Sequence, residues 1–112
     1  MSITEKQTNG SKIAYFSMEI GLRDDIPTFS GGLGILAGDT IKSGADLNLP
    51  LVAVTLIYHK GYFKQDMDDQ GRQIELPVIW KPSDTMTTVP KKVNVIIEGR
   101  TVHIQAWVYF VK

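Results

Sequence analysis

No cysteine occurs in the sequence, so disulfides, thiol nucleophiles and thiolate metal sites are excluded together. Histidine is nearly as scarce: only His59 and His103 are present, too few for a histidine-built zinc centre. Net charge is missing as well, since twelve basic side chains balance twelve acidic ones. Nucleic-acid binding driven by phosphate neutralisation finds no support in that balance, a local patch aside. No apolar run is long enough to span a bilayer, and the polar opening "MSITEKQTNGSK" lacks the apolar centre of a signal peptide. These absences predict a soluble, cytoplasmic chain with no metal, no nucleic-acid partner and no membrane contact. What is present is hydrophobic material, 43% of 112 residues, enough for the core of one small domain.

After the polar leader at residues 1–12, the run Ile13 to Met18 reads as a strand whose near-continuous hydrophobicity suits cover on both faces. A loop from Gly21 to Ser30 follows, with Ser30 placed to cap the next element. That element is helical: Leu33, Ala37, Ile41 and Ala45 recur at a spacing of four, with Leu36 beside them. Pro50 ends it by disfavouring helical geometry at Leu49. Leu51 to Tyr58 is rich in branched residues and reads as a second buried strand. Strand, helix and strand make a βαβ unit with parallel strands and a right-handed crossover.

The remainder predicts hairpins. "KGYFKQ" is a short strand leading to the turn "DMDDQG", and "RQIELPVIWK" is a strand interrupted by Pro77. A polar linker, "PSDTMTTVPK", precedes two alternating runs about a turn at Glu98-Gly99. In the second run Val102, Ile104, Ala106, Val108 and Phe110 share one face, and His103, Gln105, Trp107 and Tyr109 the other. One long helix is too little cover for a parallel sheet. Either the sheet packs on partner chains, or the chain is the front piece of something larger.

The stretch "SGGLG" opens the helix with three glycines, Gly31, Gly32 and Gly34, within four positions. One reading is an anion or sugar site, because unpaired N–H groups and the positive dipole end favour an oxygen ligand there. The other is a tight turn with close helix–sheet packing. The spacing fits neither the dinucleotide fingerprint nor the Gly-Lys-Ser/Thr ending of a nucleotide phosphate loop. Glu19 and Arg23 follow the first strand, at the sheet edge where such folds place ligands. The Glu19 carboxylate can hold the glycine loop through backbone hydrogen bonds, touch a ligand hydroxyl, or simply be solvated. Asp39, one turn into the helix, needs no catalytic explanation.

Asp66, Asp68, Asp69 and Gly71 are spaced as in a calcium loop, but Pro77 stands where the bidentate glutamate belongs, and a hairpin turn is the better reading. His59 and His103 have no evident carboxylate partner and read as structural. Trp107 and Tyr109 either stack a sugar or support an adjoining domain.

The segments "IAYFSMEIGL", "IPTFSGGLGILAGDTIKSGADLNLPLVAVTLIYHKGYFKQ" and "DDQGRQIE" resemble the front portion of the α-glucan phosphorylases, the glycogen, starch and maltodextrin enzymes. The resemblance runs from Ile13 onward. It implies an incomplete Rossmann-like N-terminal lobe, residues 13–112, of a two-lobed α/β glycosyltransferase of GT-B type. It also implies a pyridoxal phosphate cofactor, held as a Schiff base by a lysine of the C-terminal lobe. Inorganic phosphate then attacks the terminal α-1,4 bond of a glucan and releases glucose 1-phosphate with retained configuration. By the same resemblance Gly31 and Gly32 match the paired glycines at the cofactor phosphate. Leu33 matches the residue whose backbone lies against the glucosyl unit, and Glu19 the acidic residue lining that part of the cleft.

No residue matches the cofactor lysine, and Lys42 and Lys60 are not candidates for it; no catalytic residue is assigned. Ser30 stands where animal glycogen phosphorylases have asparagine, and Gly21 near an aromatic neighbour of their cofactor. Both look like features of the shorter bacterial and archaeal branch. The alternatives are a glycogen- or starch-synthase-like lobe, which carries lysine where Ser30 stands, and a non-catalytic oligomerising fragment. The implied partners are glucan, inorganic phosphate, and either a C-terminal lobe or a second copy.

Overall fold

The computed structural model describes residues 10–111, so most of the polar leader at residues 1–12 lies outside the described residues. The chain divides into two compact units, residues 1–80 with 111–112, and residues 81–110.

In the first unit β1 (Ile13–Phe16) pairs in parallel with β2 (Leu51–Val54), Ile13 opposite Leu51 and Phe16 opposite Val54. Between them runs α1 (Gly32–Asp46), which completes the expected βαβ unit. The second strand stops at Val54 instead of continuing to Tyr58. Its partner turns away first: Ser17 N donates to Val54 O at 3.2 Å, and Ser17 Oγ to Glu19 O at 2.7 Å. Beyond that point the ladder has nothing to pair with.

The buried side of α1 keeps Ala37 and Ile41 of the expected stripe but not its leucines. Gly34, Ala37, Gly38, Ile41 and Gly44 are buried, whereas Leu33 and Leu36 are 49% and 64% exposed. Small residues let the helix lie directly on backbone, and that contact fixes its rotation. Gly34 and Gly38 pack on the loop before the helix, and Gly44 lies near the Leu51 and Leu49 side chains. The helix ends in a Schellman arrangement: Asn48 takes φ 53°, its N–H donates to Ala45 O, and Leu49 N donates to Gly44 O. Asn48 makes the stop, and Pro50 lies beyond it.

The loop between β1 and α1 carries much of the core. Ile20 and Ile26 are buried, and Ile20 packs with Ala37 and Ile41 against Tyr15, Leu22, Leu51, Ala53 and Val111. Buried Thr28 closes the loop, donating through Oγ1 to Ile20 O at 2.6 Å while its carbonyl accepts from Ile20 N. Neither strand is covered on both faces. Phe16, Met18, Val52 and Leu56 are 74%, 67%, 58% and 62% exposed. A shallow apolar depression of about 310 Å³ lies among Phe16, Ser17, Met18, Val54, Thr55 and Leu56.

The hairpin β3 (Phe63–Met67) and β4 (Gln73–Pro77) completes this unit, and β4 ends at the proline. Its turn is organised by Asp68, which accepts from the amides of Gln70 and Arg72 and from Arg72 Nε at 2.8 to 2.9 Å. These bonds hold the Asp68 carboxyl below the usual carboxylate range, the Arg72 amide first among the causes. Among the described residues no cluster suited to a metal ion occurs.

In the second unit the expected linker is structured instead. Pro82–Asp84 forms a 3-10 turn, and β5 (Thr87–Ile97) begins well before "KVNV". Pro90 is tolerated because it falls in the register irregularity between Thr88 and Lys92, where its missing N–H breaks no regular ladder. β6 (Arg100–Val108) returns after Glu98 and Gly99, at φ 50° and 74°, the pair of left-handed residues that a two-residue hairpin turn requires. His103 lies opposite Asn94, with Nδ1 2.6 Å from Asn94 Oδ1.

Candidate functional site at the start of the helix

Glu19 leaves the end of β1 and reaches the first residues of the helix segment. Its Oε1 accepts from Ser30 Oγ at 3.1 Å, and its Oε2 from the amides of Ser30 and Gly31 at 3.3 and 3.4 Å. The Ser30 amide is the main cause that holds the carboxyl below the usual range, with smaller contributions from the Ser30 hydroxyl and the Gly31 and Gly34 amides. Of the roles open to Glu19 from sequence, holding the glycine loop is the one realised among the described residues. Ser30 is not the helix cap. Gly31 occupies that position without a side-chain bond, and the Ser30 hydroxyl is turned to Glu19. Nor does Asp39 serve the helix dipole: the first turn has no acidic residue, and Asp39 lies about two turns in. The carboxylate at this helix end comes from outside the helix.

The four glycines divide into two pairs. A methyl group on Gly31 or Gly32 would meet nothing within 4 Å. A methyl group on Gly34 would collide with the Phe29 side chain, and one on Gly38 with the backbone of Gly21. Gly34 O also accepts from Gly21 N at 2.8 Å. Packing therefore accounts for Gly34 and Gly38 and leaves Gly31 and Gly32 unexplained. At the same turn the amides of Gly32 and Leu33 have no acceptor among the described residues, while Gly34 N donates back to Gly31 O at 3.1 Å. Two donors with no acceptor among the described residues thus lie at the helix start near a fixed carboxylate, and a Cβ on Gly32 would meet open space. By its chemistry such a surface suits an oxygen-rich ligand.

Arg23 forms a bidentate pair with Asp25 at 2.6 and 2.8 Å on the exposed loop. His59 is exposed, and His103, Trp107 and Tyr109 belong to the second unit. One aromatic pair of the first unit went unnoticed in the sequence. Tyr62 lies in the field of Glu19, and its ring stands edge-on to Tyr58. The spacing of these two tyrosines after β2 was the available signal.

The family described as Carbohydrate phosphorylase matches residues 20–107. Maltodextrin phosphorylase of Thermococcus litoralis is 43% identical over an alignment covering 85% of this chain and 12% of that protein. Glycogen phosphorylase of Mycobacterium tuberculosis is 56% identical over 56% of the chain and 7% of that protein. For glycogen phosphorylase of Aquifex aeolicus the figures are 37%, 65% and 12%. The chain thus spans about an eighth or less of the length of these relatives. No solved structure matches it.

Proposed function

This chain belongs to the carbohydrate phosphorylase family, and from that premise we propose that it forms part of an α-1,4-glucan phosphorylase. The complete enzyme would convert glucan and inorganic phosphate into glucose 1-phosphate and a shortened glucan. Residues 13–112 would belong to the N-terminal lobe of a two-lobed GT-B protein in the cytoplasm, with the C-terminal lobe closing the cleft. The observation that carries this reading is the pair of amides, Gly32 and Leu33, that have no acceptor among the described residues and lie at the loop held by Glu19.

That geometry suits a phosphate-bearing cofactor. Gly31 and Gly32 present no side chain to an approaching phosphate, and the Gly32 amide is unspent. Pyridoxal phosphate, when bound in the complete enzyme, supplies proton exchange with the substrate phosphate. This chain's part is placement. The Gly32 amide would hold a phosphate oxygen, the Leu33 backbone would lie along the glucosyl unit, and Glu19 fixes the loop that would present both. The attachment lysine belongs to the other lobe, so the 112-residue chain is inactive alone. The synthase-like alternative is less favoured, because the position before the glycines is a serine committed to Glu19. The exposed apolar face of β1 and β2 favours association, with the other lobe or with a second copy.

The test replaces the matching segment of Thermococcus litoralis maltodextrin phosphorylase with this chain and measures glucose 1-phosphate release. Activity is expected, with Gly32→Ala raising KM for phosphate while the unfolding midpoint holds. A folded chimera whose rate and phosphate KM ignore Gly32→Ala would overturn the binding role.

A further inference from the structure

The buried hydrophobic side chains found among the described residues, Ile20, Ile26, Ala37 and Ile41, all belong to the first unit. In the second unit the hairpin of β5 and β6 is an amphipathic ribbon instead. Val93 lies opposite Ile104, Val95 opposite Val102, and Ile97 continues the same face. Each of these five apolar side chains is at least 37% exposed. Two strands by themselves are marginal in water, and more strands with a shared apolar face are what such a ribbon lacks. Its β5 edge is regular from Lys92 to Ile97. Ile97 and Arg100 flank the two-residue turn and so form a hydrogen-bonded pair. Alternation then turns the N–H and C=O groups of Lys92, Asn94 and Ile96 away from β6. Among the described residues no other strand pairs with β5, and all three of these residues are exposed.

We infer that β5 is a contact by which two copies of this chain pair, edge to edge and antiparallel, about a two-fold axis at Val95. That axis sets Asn94 opposite Ile96 of the second copy, so their outward N–H and C=O groups bond each other on both sides of it. Val93 comes opposite Ile97 of the second copy, and the two apolar faces join across four strands. Lys92 comes opposite Glu98 of the second copy, twice over by symmetry, and unlike charges so placed attract. Neighbouring registers that oppose the outward groups lose this pairing. An axis at Asn94 sets Lys91 against Ile97 and Glu98 against Pro90. An axis at Ile96 sets Lys92 against Arg100, like charges. An axis at Val93 runs β5 into its irregularity between Thr88 and Lys92. Charge and hydrogen bonding therefore choose the same register. The edge of β6 has no such choice, because β6 carries no acidic residue. A lysine on an edge strand ordinarily blocks pairing; Lys92 blocks the wrong registers and admits one.

The test is sedimentation velocity of the 112-residue chain carrying Phe16→Lys, which removes the association expected of β1 and β2 and leaves β5 untouched. A concentration-dependent dimer is expected. Lys92→Glu or Glu98→Lys, added singly, should each weaken it about tenfold, since both symmetric pairs turn repulsive. An equimolar mixture of the two reversed chains should regain the dimer to within about threefold, because every mixed pair again opposes unlike charges. Amide exchange of the Phe16→Lys chain gives a second reading that needs no charge reversal. Asn94 and Ile96 should gain protection as concentration rises, while Thr101, His103 and Gln105, turned outward on the other edge, should not. A monomer at every concentration overturns the pairing. So does a dimer indifferent to both reversals, or a mixture that associates no better than its components. Protection that rises equally on the two edges overturns the assignment to β5.

Discussion

Gly38 lies directly on Gly21: a Cβ placed on Gly38 would fall 2.7 Å from the Gly21 carbonyl carbon and closer still to its oxygen. Two glycines from opposite sides of the loop–helix contact thus bring backbone onto backbone. Gly21 N donates to Gly34 O one helical turn away, which ties the same contact together. The start of α1 is positioned by this seam.

Gly38→Ala should therefore lower stability by about 1 to 3 kcal/mol, the usual cost of forcing extra volume into a packed contact. The obstacle is backbone, which cannot swing aside. Gly32→Ala should be neutral or gain a few tenths of a kcal/mol, since nothing opposes its methyl and alanine is the better helix former. Denaturant midpoints of the two variants are the measurement. Equal losses would show that the glycines do not divide as described.

Glu19 gives an acid-sensitive contribution. Its folded-state pKa is depressed, so its stabilisation is fully present above the ordinary glutamate range and is lost as pH falls through the lowered value. The unfolding midpoint of Glu19→Gln should lie below wild type at neutral pH, and the gap should close progressively in acid. Asp68 is depressed as well, so the difference between the two curves, rather than either alone, isolates Glu19. A gap equally wide at pH 7 and in strong acid contradicts the assignment.

Ser30→Ala should cost less than Gly38→Ala. It removes one hydroxyl contact to Glu19 and leaves the two backbone amides in place. The loss of a helix cap, about 1 kcal/mol, is not expected, because Ser30 does not cap. A cap-sized loss in thermal melts would restore the capping role.

Purified by itself, the chain should release no glucose 1-phosphate from maltodextrins and keep no Schiff-base absorbance through gel filtration. Activity abolished by a substitution within the chain would refute this.

The exposed face of β1 and β2 should drive self-association of the isolated chain. Sedimentation velocity at rising concentration should show larger species, and Phe16→Lys or Val52→Lys should shift them toward monomer. A compact monomer at high concentration would show that the face tolerates water.

Sequence alone determined the order of elements, because that order follows from local chemistry. Branched runs marked β1 and β2, a period of four marked α1, and Glu98-Gly99 marked a hairpin whose turn needs left-handed backbone. It also determined the family, through a long block of side chains rather than through any one glycine. The rotation of α1 about its axis was settled only in three dimensions. The period of four placed Ala37 and Ile41 in the core, but it put Leu33 on that face too, with Leu36 beside it; only glycine fits against Gly21, so close backbone contact turned the leucines outward. The role of Glu19 was likewise a tertiary matter. Its partners at Ser30 and Gly31 lie across the loop between β1 and α1, and only the closure of that loop, through the bonds between Ile20 and Thr28 and from Gly21 N to Gly34 O, folds a strand's end back onto a helix's beginning.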